Sequence, residues 1–391
     1  SFAGAKTAQG NGGDGEDFFY TPPTGYKALN TSNLDDPAIA LPTDHFSVNL
    51  WTGTGGTRSL TGLGFQPDFT WIKSRSNSYQ HMLFDSVRGA TKYLVSDAAD
   101  AEATDATQLT AFDSDGFSLG SGSVVNGTSA TFVGWNWKAA SSNTAVSAGS
   151  IDGTNPTIAC TRRTNTTAGF SIVSYSGSGS AGDTVSHGLS QTPDLIIIKN
   201  RSAITNWVVN SPIIDSSFTK WALKLDRTEA ISTDSTIWNN TAPNSTVFTL
   251  GTAGESNRNN PDNYIAYCFH SIEGYSKIGS YTGNGATDGP FVYTGFRPAF
   301  IMVKLTTAAD GYWVIFDNKR DPDNPTGRVI YANETSISTD VSSYAPYDLL
   351  SNGFKSRIPA GNGNEASYNS SGQTYIYLAF AESPFKTSNA R

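Results

Sequence analysis

The stretch Pro193-Asp194-Leu195-Ile196-Ile197-Ile198-Lys199 decides the fold, because the chain contains two further versions of it. Each version is a proline followed by an apolar run that ends in lysine, and the other two are Pro67-Asp68-Phe69-Thr70-Trp71-Ile72-Lys73 and Pro298-Ala299-Phe300-Ile301-Met302-Val303-Lys304. The prolines lie 126 (193 − 67) and 105 (298 − 193) residues apart. That spacing is typical of whole small domains and too long for solenoid repeats. The chain is therefore predicted to contain three divergent modules in tandem.

Two other features repeat with these runs. Each module has an early aromatic-rich strand that ends in a Gly-x-Gly turn, and each ends in an aromatic strand; the turns are Gly53-Thr54-Gly55, Gly177-Ser178-Gly179 and Gly283-Asn284-Gly285. Roughly six or seven strand patterns per module, with turn signals between them and almost no helical periodicity, are typical of a β-sandwich. Uninterrupted apolar runs favour central strands that are covered on both faces. We predict an all-β chain of three tandem antiparallel β-sandwich modules, jelly-roll-like, with an extended N-terminal segment.

The predicted boundaries follow the repeats. Residues 1–44 are too short to fold alone and are expected to be the end of an upstream domain or a linker. Module 1 covers 45–140, a Ser/Thr/Asn/Gly-rich linker covers 141–157, module 2 covers 158–271 and module 3 covers 272–391. Since the chain does not begin with methionine, Ser1 is expected to be internal to a longer gene product. Tandem modules favour reach and multivalency over one buried active site.

Composition argues against several classes of function. The net charge of −8 and the pI near 5.0 disfavour binding to nucleic acid, whose phosphates attract basic surfaces. No 18-residue apolar run or signal-peptide pattern is present, so we expect no membrane insertion and synthesis in the cytoplasm. Two cysteines, Cys160 and Cys268, cannot form a disulfide framework. Two buried core thiols are the favoured interpretation, and a single bond between them is the alternative.

Two catalytic motifs match formally. Gly116-Phe117-Ser118-Leu119-Gly120 has the pattern of a nucleophile elbow, and Gly177-Ser178-Gly179-Ser180-Ala181-Gly182 has the pattern of a dinucleotide-binding loop. Both motifs need a helix directly after them, and neither is followed by one here. The sister modules also lack the needed residues. We therefore interpret the first as a strand and the second as a hairpin turn.

Metal ligands are not indicated either. The four histidines are far apart in the sequence and have no ligand spacing. The acidic turns at 113–116 and 321–324 could hold Ca²⁺ through carboxylates, but they lack the full twelve-residue loop, so Asx turns are favoured. No catalytic residue, cofactor or metal is predicted.

The repeated lysines and the loop tyrosines are the remaining candidates. Lys73, Lys199 and Lys304 are expected to be charged strand ends in solvent; binding of an acidic sugar or of a neighbouring carboxylate is the alternative. Most tryptophans lie within strands and are predicted to be core residues. Tyrosine stacks on sugar faces and is common at interfaces. The candidate ligand-binding residues are therefore the tyrosines on predicted loops: Tyr79, Tyr293, Tyr344, Tyr347 and Tyr368.

Several stretches together resemble a known group of proteins. They are Gly64-Phe65-Gln66-Pro67-Asp68-Phe69, Phe84-Asp85-Ser86-Val87-Arg88-Gly89-Ala90, Phe112-Asp113-Ser114-Asp115-Gly116-Phe117 and the ending Tyr375-Ile376-Tyr377-Leu378-Ala379-Phe380-Ala381-Glu382-Ser383-Pro384-Phe385-Lys386. They resemble repeats in tail-fibre and virion structural proteins of tailed bacteriophages, especially marine and cyanobacterial phages. Module 2 lacks the Phe-Asp-Ser-Val-Arg-Gly motif and has Ser211-Pro212-Ile213 nearby. Any site on that motif would therefore not be shared by all three modules.

The resemblance implies a component of the phage particle and supplies no catalytic residues. We expect a non-enzymatic tail fibre or appendage on the virion surface, a homotrimer, that binds a glycan or protein of the host surface. The first alternative is a capsid or tail decoration protein that binds other virion proteins. The second is a glycan depolymerase, which would need two carboxylates about 5–10 Å apart in a cleft.

Overall fold

The fold is nearly all β, as predicted, and consists of antiparallel sandwiches. The computed structural model describes residues 20, 23–24, 26, 33–150, 156–216, 221–258, 262–343, 346–358 and 367–388. Tyr344 and most of the predicted N-terminal segment lie outside these residues. The helices within them are short: α1 is Ser123–Asn126, α2 is Ser235–Trp238, and Pro42–Asp44 and Phe385–Thr387 are single 3₁₀ turns.

Each module consists of a large sheet and a small sheet. The strands of module 1 are β1 Phe46–Thr52, β2 Arg58–Thr61, β3 Phe69–Ser74, β4 Met82–Asp85, β5 Lys92–Val95, β6 Ala103–Thr104, β7 Leu109–Asp113, β8 Gly116–Leu119 and β9 Thr131–Trp137. Those of module 2 are β10 Thr144–Val146, β11 Cys160–Asn165, β12 Phe170–Ser176, β13 Thr184–Ser186, β14 Leu195–Asn200, β15 Val208–Asn210, β16 Trp221–Lys224, β17 Ser232–Thr233, β18 Val247–Thr249 and β19 Asn263–Phe269. Those of module 3 are β20 Ser276–Thr282, β21 Phe291–Tyr293, β22 Phe296–Leu305, β23 Trp313–Asp317, β24 Arg328–Tyr331, β25 Thr339–Asp340, β26 Tyr347–Leu350, β27 Gly353–Ser356 and β28 Thr374–Pro384.

The strand order of the large sheet is the same in all three modules. It is β1-β9-β3-β4-β5-β6 in module 1 and β20-β28-β22-β23-β24-β25 in module 3, and module 2 has β12-β19-β14-β15-β16-β17 with β11 and β10 added beside β12. The small sheets are β2-β8-β7, β13-β18 and β21-β27-β26. Strand β10 lies in the predicted linker. This common order and its register define which residues of the three modules correspond.

The Gly-x-Gly turns are held by a buried asparagine in each module. The residue between the glycines donates its N–H to that asparagine's Oδ1: Thr54 to Asn126 at 3.1 Å, Ser178 to Asn257 at 2.8 Å and Asn284 to Asn369 at 3.0 Å. A Cβ on the first glycine would lie only 2.1 to 2.5 Å from a backbone oxygen, and the second glycine has φ between +67° and +74°. The first position has no room for a side chain, and the second has a backbone conformation that only glycine adopts without strain. The motif is therefore structural.

The three modules share one central core in addition to their own sandwich cores. Each large sheet packs one face against its small sheet and the other face against the large sheets of the neighbouring modules. Aromatic rings meet across every seam, with centroid distances of 4.4 Å for Phe69 and Tyr267, 4.9 Å for Phe46 and Phe380, and 6.1 Å for Phe269 and Phe380. The modules therefore form a closed ring with approximate threefold correspondence, and not a row of separate domains.

The repeated lysines join the modules. Their side chains are fully buried, and each donates to a backbone carbonyl of the next module: Lys73 Nζ to Thr335 at 3.0 Å, Lys199 Nζ to Ala99 at 3.1 Å and Lys304 Nζ to Thr228 at 2.9 Å. The expectation of solvated strand ends was therefore wrong. The acceptors are peptide oxygens of this chain, which need no particular side chain.

Each seam also contains a backbone hydrogen bond in the reverse direction. Ser338 N donates to Arg75 O at 3.1 Å, Glu102 N to Arg201 O at 2.8 Å and Ile231 N to Thr306 O at 2.9 Å. The spacing between the two bonds is the same in every seam. The residue whose carbonyl accepts from the lysine lies three positions before the residue that donates its N–H (335 and 338, 99 and 102, 228 and 231). The residue whose carbonyl accepts from that N–H lies two positions after the lysine. The three seams therefore share one geometry.

Two of the seams contain a buried carboxylate. Asp85 accepts from Arg88 of its own turn and from the Tyr267 hydroxyl of module 2 at 2.8 Å. Asp317 accepts from Arg320 and, at 3.1 Å, from Trp135 Nε1 of module 1. The Asp-x-x-Arg part of the Phe-Asp-Ser-Val-Arg-Gly motif is therefore a connection between modules.

The third seam has lost both halves of this interaction. By register, Ser211 of module 2 corresponds to Asp85 and Asp317, and Leu378 of module 3 corresponds to Tyr267 and Trp135. An apolar side chain at position 378 needs no polar partner. Module 2 therefore lacks the buried carboxylate in the same seam in which module 3 lacks the side chain that would donate to it.

Loss of the Tyr267 hydroxyl should weaken the whole ring. Tyr267→Phe leaves a buried carboxylate with one donor fewer, so we expect the free energy of unfolding to fall by about 1–3 kcal/mol. Leu378→Met, a change of similar volume at the corresponding position, should cost under about 1.5 kcal/mol. Chemical denaturation followed by tryptophan fluorescence measures both variants. Equal stability of wild type and Tyr267→Phe would contradict the role of this bond.

The buried lysines should make stability depend on pH. Burial lowers the pKa of Lys73 and Lys199 to about 8 and that of Lys304 to about 7. The ordinary value is about 10.4 in the unfolded chain, so above pH 7 the unfolded state binds more protons and the free energy of unfolding rises with pH. Lys304→Met should reduce this slope by about 1 kcal/mol per pH unit between pH 7 and 8.5. Denaturation at several pH values, with exposed Lys277→Met as the control, tests this. Equal slopes for the two variants would refute it.

Candidate recognition surface

The five candidate tyrosines have different environments. Tyr293 is 61% exposed on β21, and Tyr79 is half-buried in the turn after β3. Tyr347 and Tyr368 have no exposed surface and belong to the inner core of module 3, which corrects the expectation that they lie on exposed loops. Tyr347 begins β26 with its ring directed inwards, and its hydroxyl lies 2.7 Å from that of Tyr281. Tyr344 lies outside the described residues.

A second exposed aromatic residue accompanies Tyr293. Phe291 is 47% exposed and lies two residues earlier on β21, so both rings are on the outer face of the small sheet, while Val292 between them is buried. The residue pattern aromatic-Val-aromatic could have indicated this pair in the sequence. Loop residues were favoured there instead, so Phe291 was missed.

The sister modules have small polar residues at the same positions. The inward residues Leu60, Val185 and Val292 correspond, because each faces a phenylalanine on the next strand of its small sheet. Their neighbours on the opposite face of the small sheet are Ser59 and Thr61 in module 1, Thr184 and Ser186 in module 2, and Phe291 and Tyr293 in module 3. In module 2 strand β11 covers this face, and Ser186 is buried. If these two positions were needed for folding, we would expect similar residues there in all three modules. The aromatic pair is therefore specific to module 3.

Charged side chains and glycines surround the aromatic pair. Lys355 lies opposite Phe291 on β27 and forms an ion pair with Asp288. Gly353 lies opposite Tyr293, and a Cβ there would lie 2.0 Å from Val292 O, as a Cβ on the corresponding Gly116 of module 1 would lie 1.8 Å from Leu60 O. This glycine is therefore part of the scaffold. A flat apolar surface with polar groups at its rim can stack on a sugar ring and also donate and accept hydrogen bonds.

A groove of about 400 Å³ adjoins Tyr293. Its walls come from the N-terminal stretch 34–38, from the start and the end of module 3, and from Tyr293 and Gly295. Lys386 crosses the groove, donating to Leu34 O at 2.8 Å and to Asp36 Oδ1 at 2.7 Å. That bond lowers the pKa of Asp36, whereas a general acid requires a raised one. The groove extends the aromatic surface by polar groups suited to binding.

The two formal catalytic motifs lie in the sandwich scaffold, and the first is part of a strand, as predicted. The second was predicted to be a hairpin turn, which was wrong, because it connects β12 to β13 and these strands lie in different sheets. Ser118 lies within β8, where its hydroxyl is 2.8 Å from that of Ser59 and 2.7 Å from Asp113 Oδ2. It is not at a strand–helix turn. Gly177 follows the last residue of β12, and the Gly-x-Gly turn there is the one held by Asn257. In the acidic turn, the Asp115 carboxylate accepts from the N–H groups of Gly62 and Gly64, which is a structural role.

Burial raises the pKa of several carboxyl groups, and their positions indicate structural roles. Burial raises the pKa of Asp97 to about 6 and also raises that of Asp226. Each accepts from the backbone N–H of the residue just before β4 or β15, at 2.8 and 3.0 Å, and Asn333 accepts in the same way from Trp313 N at 2.9 Å. An amide that cannot titrate performs the same task in module 3. These carboxyl groups are therefore part of the scaffold.

Other kinds of site find little support in the described part of the chain. It contains no group of three or more His, Cys, Asp or Glu residues placed to hold a metal ion. Among those residues, no helix is long and apolar enough to cross a membrane. Cys160 and Cys268 are both buried and are not joined by a disulfide.

Comparison with known proteins gives one family. A family model described as "Domain of unknown function (DUF7483)" matches residues 41–384. The chain belongs to this family. The match extends over all three modules, in agreement with a ring that folds around one central core. No curated protein and no solved structure matches the chain.

Proposed function

We propose that this chain is a non-enzymatic virion protein of a tailed bacteriophage, a tail fibre or appendage that recognises the host surface through module 3. The observation that carries the proposal is the exposed pair Phe291 and Tyr293 at positions where the sister modules have Ser or Thr. The likeness of the module motifs to phage tail-fibre proteins supports the location on the particle. A glycan is the ligand that suits a flat aromatic surface with a polar rim.

The strength of such a site would come from repetition. A stacked aromatic ring contributes about 0.5–1.5 kcal/mol beyond its buried area, so one module 3 would bind weakly. Several copies on one particle raise the effective concentration and strengthen attachment without new contacts. A homotrimer of this chain would supply three such surfaces, and light scattering of the purified protein tests that assembly.

The alternative is a decoration protein that binds other virion proteins. One observation favours it: a groove of about 440 Å³ lies between modules 1 and 3, beside the edge strand β1. A decoration protein would bind purified particles that lack it and would leave host adsorption unchanged. The third class, a glycan depolymerase, predicts release of reducing ends from polysaccharide, whereas we expect no release.

Removal of the aromatic pair tests the recognition proposal. The double variant Phe291→Ala/Tyr293→Ala should lose at least about tenfold in binding to an array of purified bacterial surface polysaccharides, because both stacking faces are gone. Ser59→Ala changes the position in module 1 that corresponds to Phe291 and serves as the control. The exchange Phe291→Tyr/Tyr293→Phe keeps both rings and should retain binding. Stability should change little for all three, because these side chains are exposed.

Two outcomes would count against recognition by module 3. If the double alanine variant bound the polysaccharides as well as wild type does, the aromatic pair would have no role in binding. If added wild-type protein left phage adsorption unchanged but bound to particles, the decoration alternative would replace the proposal.

A further inference from the structure

The strand order common to the three large sheets begins with β1, β12 and β20, and the outer side of each of these strands is a potential docking position. In an antiparallel pair, alternate residues of a strand form the hydrogen bonds to the partner strand. The odd-numbered residues of β1 bond to β9, as shown at both ends of the pair, where His45 O accepts from Lys138 N and Gly53 N donates to Ala130 O. The N–H and C=O groups of Phe46, Val48 and Leu50 therefore point away from β9. The corresponding strands β12 and β20 have the same alternation. The three seams differ in what covers this outer side.

In the seam between modules 2 and 1, strand β11 covers the edge. It pairs with the outer side of β12, with Arg163 opposite Ile172. The Arg163 guanidinium binds Asp68 Oδ1 of module 1 at 2.6 Å, and Thr164 Oγ1 donates to His187 O at 3.2 Å. This strand therefore fills the space between its own small sheet and the neighbouring module.

In the seam between modules 3 and 2, the connecting turn takes the place of a strand. Ile278 N donates to Ser271 Oγ at 3.0 Å, and Ser276 N donates to Ile272 O at 2.9 Å. Ser271 N in turn donates to Asp194 Oδ2 at 2.7 Å. Asp194 corresponds to Asp68, and this bond corresponds to the one that Ala139 N donates to Asp68 Oδ2 at 2.7 Å in module 1. The turn therefore covers the edge of β20 through Ser271 and Ile272, without a contact like that of Arg163 of β11.

In the seam between modules 1 and 3, the corresponding space is the groove of about 440 Å³ beside β1. Its walls are the counterparts of the residues that contact β11. The loop 61–63 corresponds to 186–188, Ala299 corresponds to Asp68, and Ala381 corresponds to Lys138, whose carbonyl accepts from Asn165 of β11. Within the described part of the chain, nothing pairs with the outward N–H groups of Val48 and Leu50.

We infer that this groove receives an extended segment of another polypeptide chain, which pairs with β1 as β11 pairs with β12. Addition of a strand to an open edge provides affinity through main-chain hydrogen bonds, and pockets for alternate side chains provide specificity. The groove walls come from two modules and enclose the edge, so a single strand fits where the sheet of a second folded copy does not.

The walls also define the chemistry of this segment. The residue opposite Val48 faces Ala299, where β11 has Arg163 facing Asp68, so the carboxylate that binds Arg163 has no counterpart at this position and an arginine is not needed there. The charged residues of the groove are Asp44, Lys319 and Glu382. The two neighbours of the residue opposite Val48 face Thr61 and Leu63, as Arg162 and Thr164 face 186–188, and polar side chains suit them. A segment with a small uncharged residue between two polar residues matches these positions of the groove.

A peptide based on the sequence of β11 provides the probe. It has the sequence of residues 159–166 with Cys160→Ser and Arg163→Ala, and hydrogen–deuterium exchange of the whole protein is the measurement. In the free protein, residues 46–52 should exchange at least about tenfold faster than residues 170–176, because the outward N–H groups of β1 lack a partner strand. Saturating peptide should slow exchange of 46–52 at least tenfold and leave 170–176 unchanged. The same peptide with N-methyl groups on alternate amides should have no effect.

Two variants test the place of binding. Val48→Pro removes an outward N–H, which an edge strand tolerates, and should abolish the response. Since Val48 also contacts the central core, Thr61→Trp is the second variant. It fills the groove from an exposed position and should abolish the response without loss of stability, whereas Thr61→Ser should retain it.

Three results would overturn the inference. Residues 46–52 could exchange as slowly as 170–176 in the free protein, which would mean that the edge is already paired. Thr61→Trp could respond to the peptide as wild type does, which would place binding elsewhere. The protein could be a dimer that Val48→Pro converts to a monomer, which would make a second copy the occupant. None of these results bears on the module 3 surface.

Discussion

Each large sheet of this protein has two apolar faces, and one small sheet can cover only one of them. The second faces are buried against each other in a single core, to which all three modules contribute aromatic side chains such as Phe69, Tyr267 and Phe380. The closed ring follows from this constraint, because any module alone would expose a sheet face of apolar residues to water. The buried lysines and the Asp-x-x-Arg turns then fix how the modules meet. Backbone carbonyls accept from the lysines in every seam, so the connection survives sequence divergence between modules.

The threefold correspondence separates scaffold from candidate function. Features that recur in all three modules, such as the asparagine-held Gly-x-Gly turns and the acceptors Asp97, Asp226 and Asn333, maintain the fold. Two of the features that do not recur bear on function. The outward aromatic pair is present in module 3 only, and the covered strand edge is missing in module 1 only. They lie on different surfaces, so recognition of a host glycan and attachment to another polypeptide can operate together.

Much of the fold was predictable from the sequence because strand patterns are local. The sandwich class, the buried tryptophans Trp71, Trp135 and Trp207, and the position of Ser118 within a strand were predicted and are confirmed. Side-chain environments were less accessible. Tyr347 and Tyr368 were predicted to be exposed and are buried. The ring of Tyr347 points inwards because it begins β26, where register and not residue type sets the direction of a side chain. Tyr368 lies in the connection before β28 and packs into the same core. Phe291 was missed because only tyrosines on predicted loops were considered, whereas Phe291 and Tyr293 both lie on strand β21.

The sequence by itself determined that the chain has three related modules and that each is a β-sandwich. These conclusions rest on periodicity and on comparison of one module with another, which need no coordinates. Only the tertiary structure decided that the modules close into a ring, that the lysines are buried and bind carbonyls, and that one of three corresponding strand edges is open. Contacts between modules join residues that are on the order of a hundred positions apart, and no local pattern encodes which distant backbone oxygen a lysine will meet.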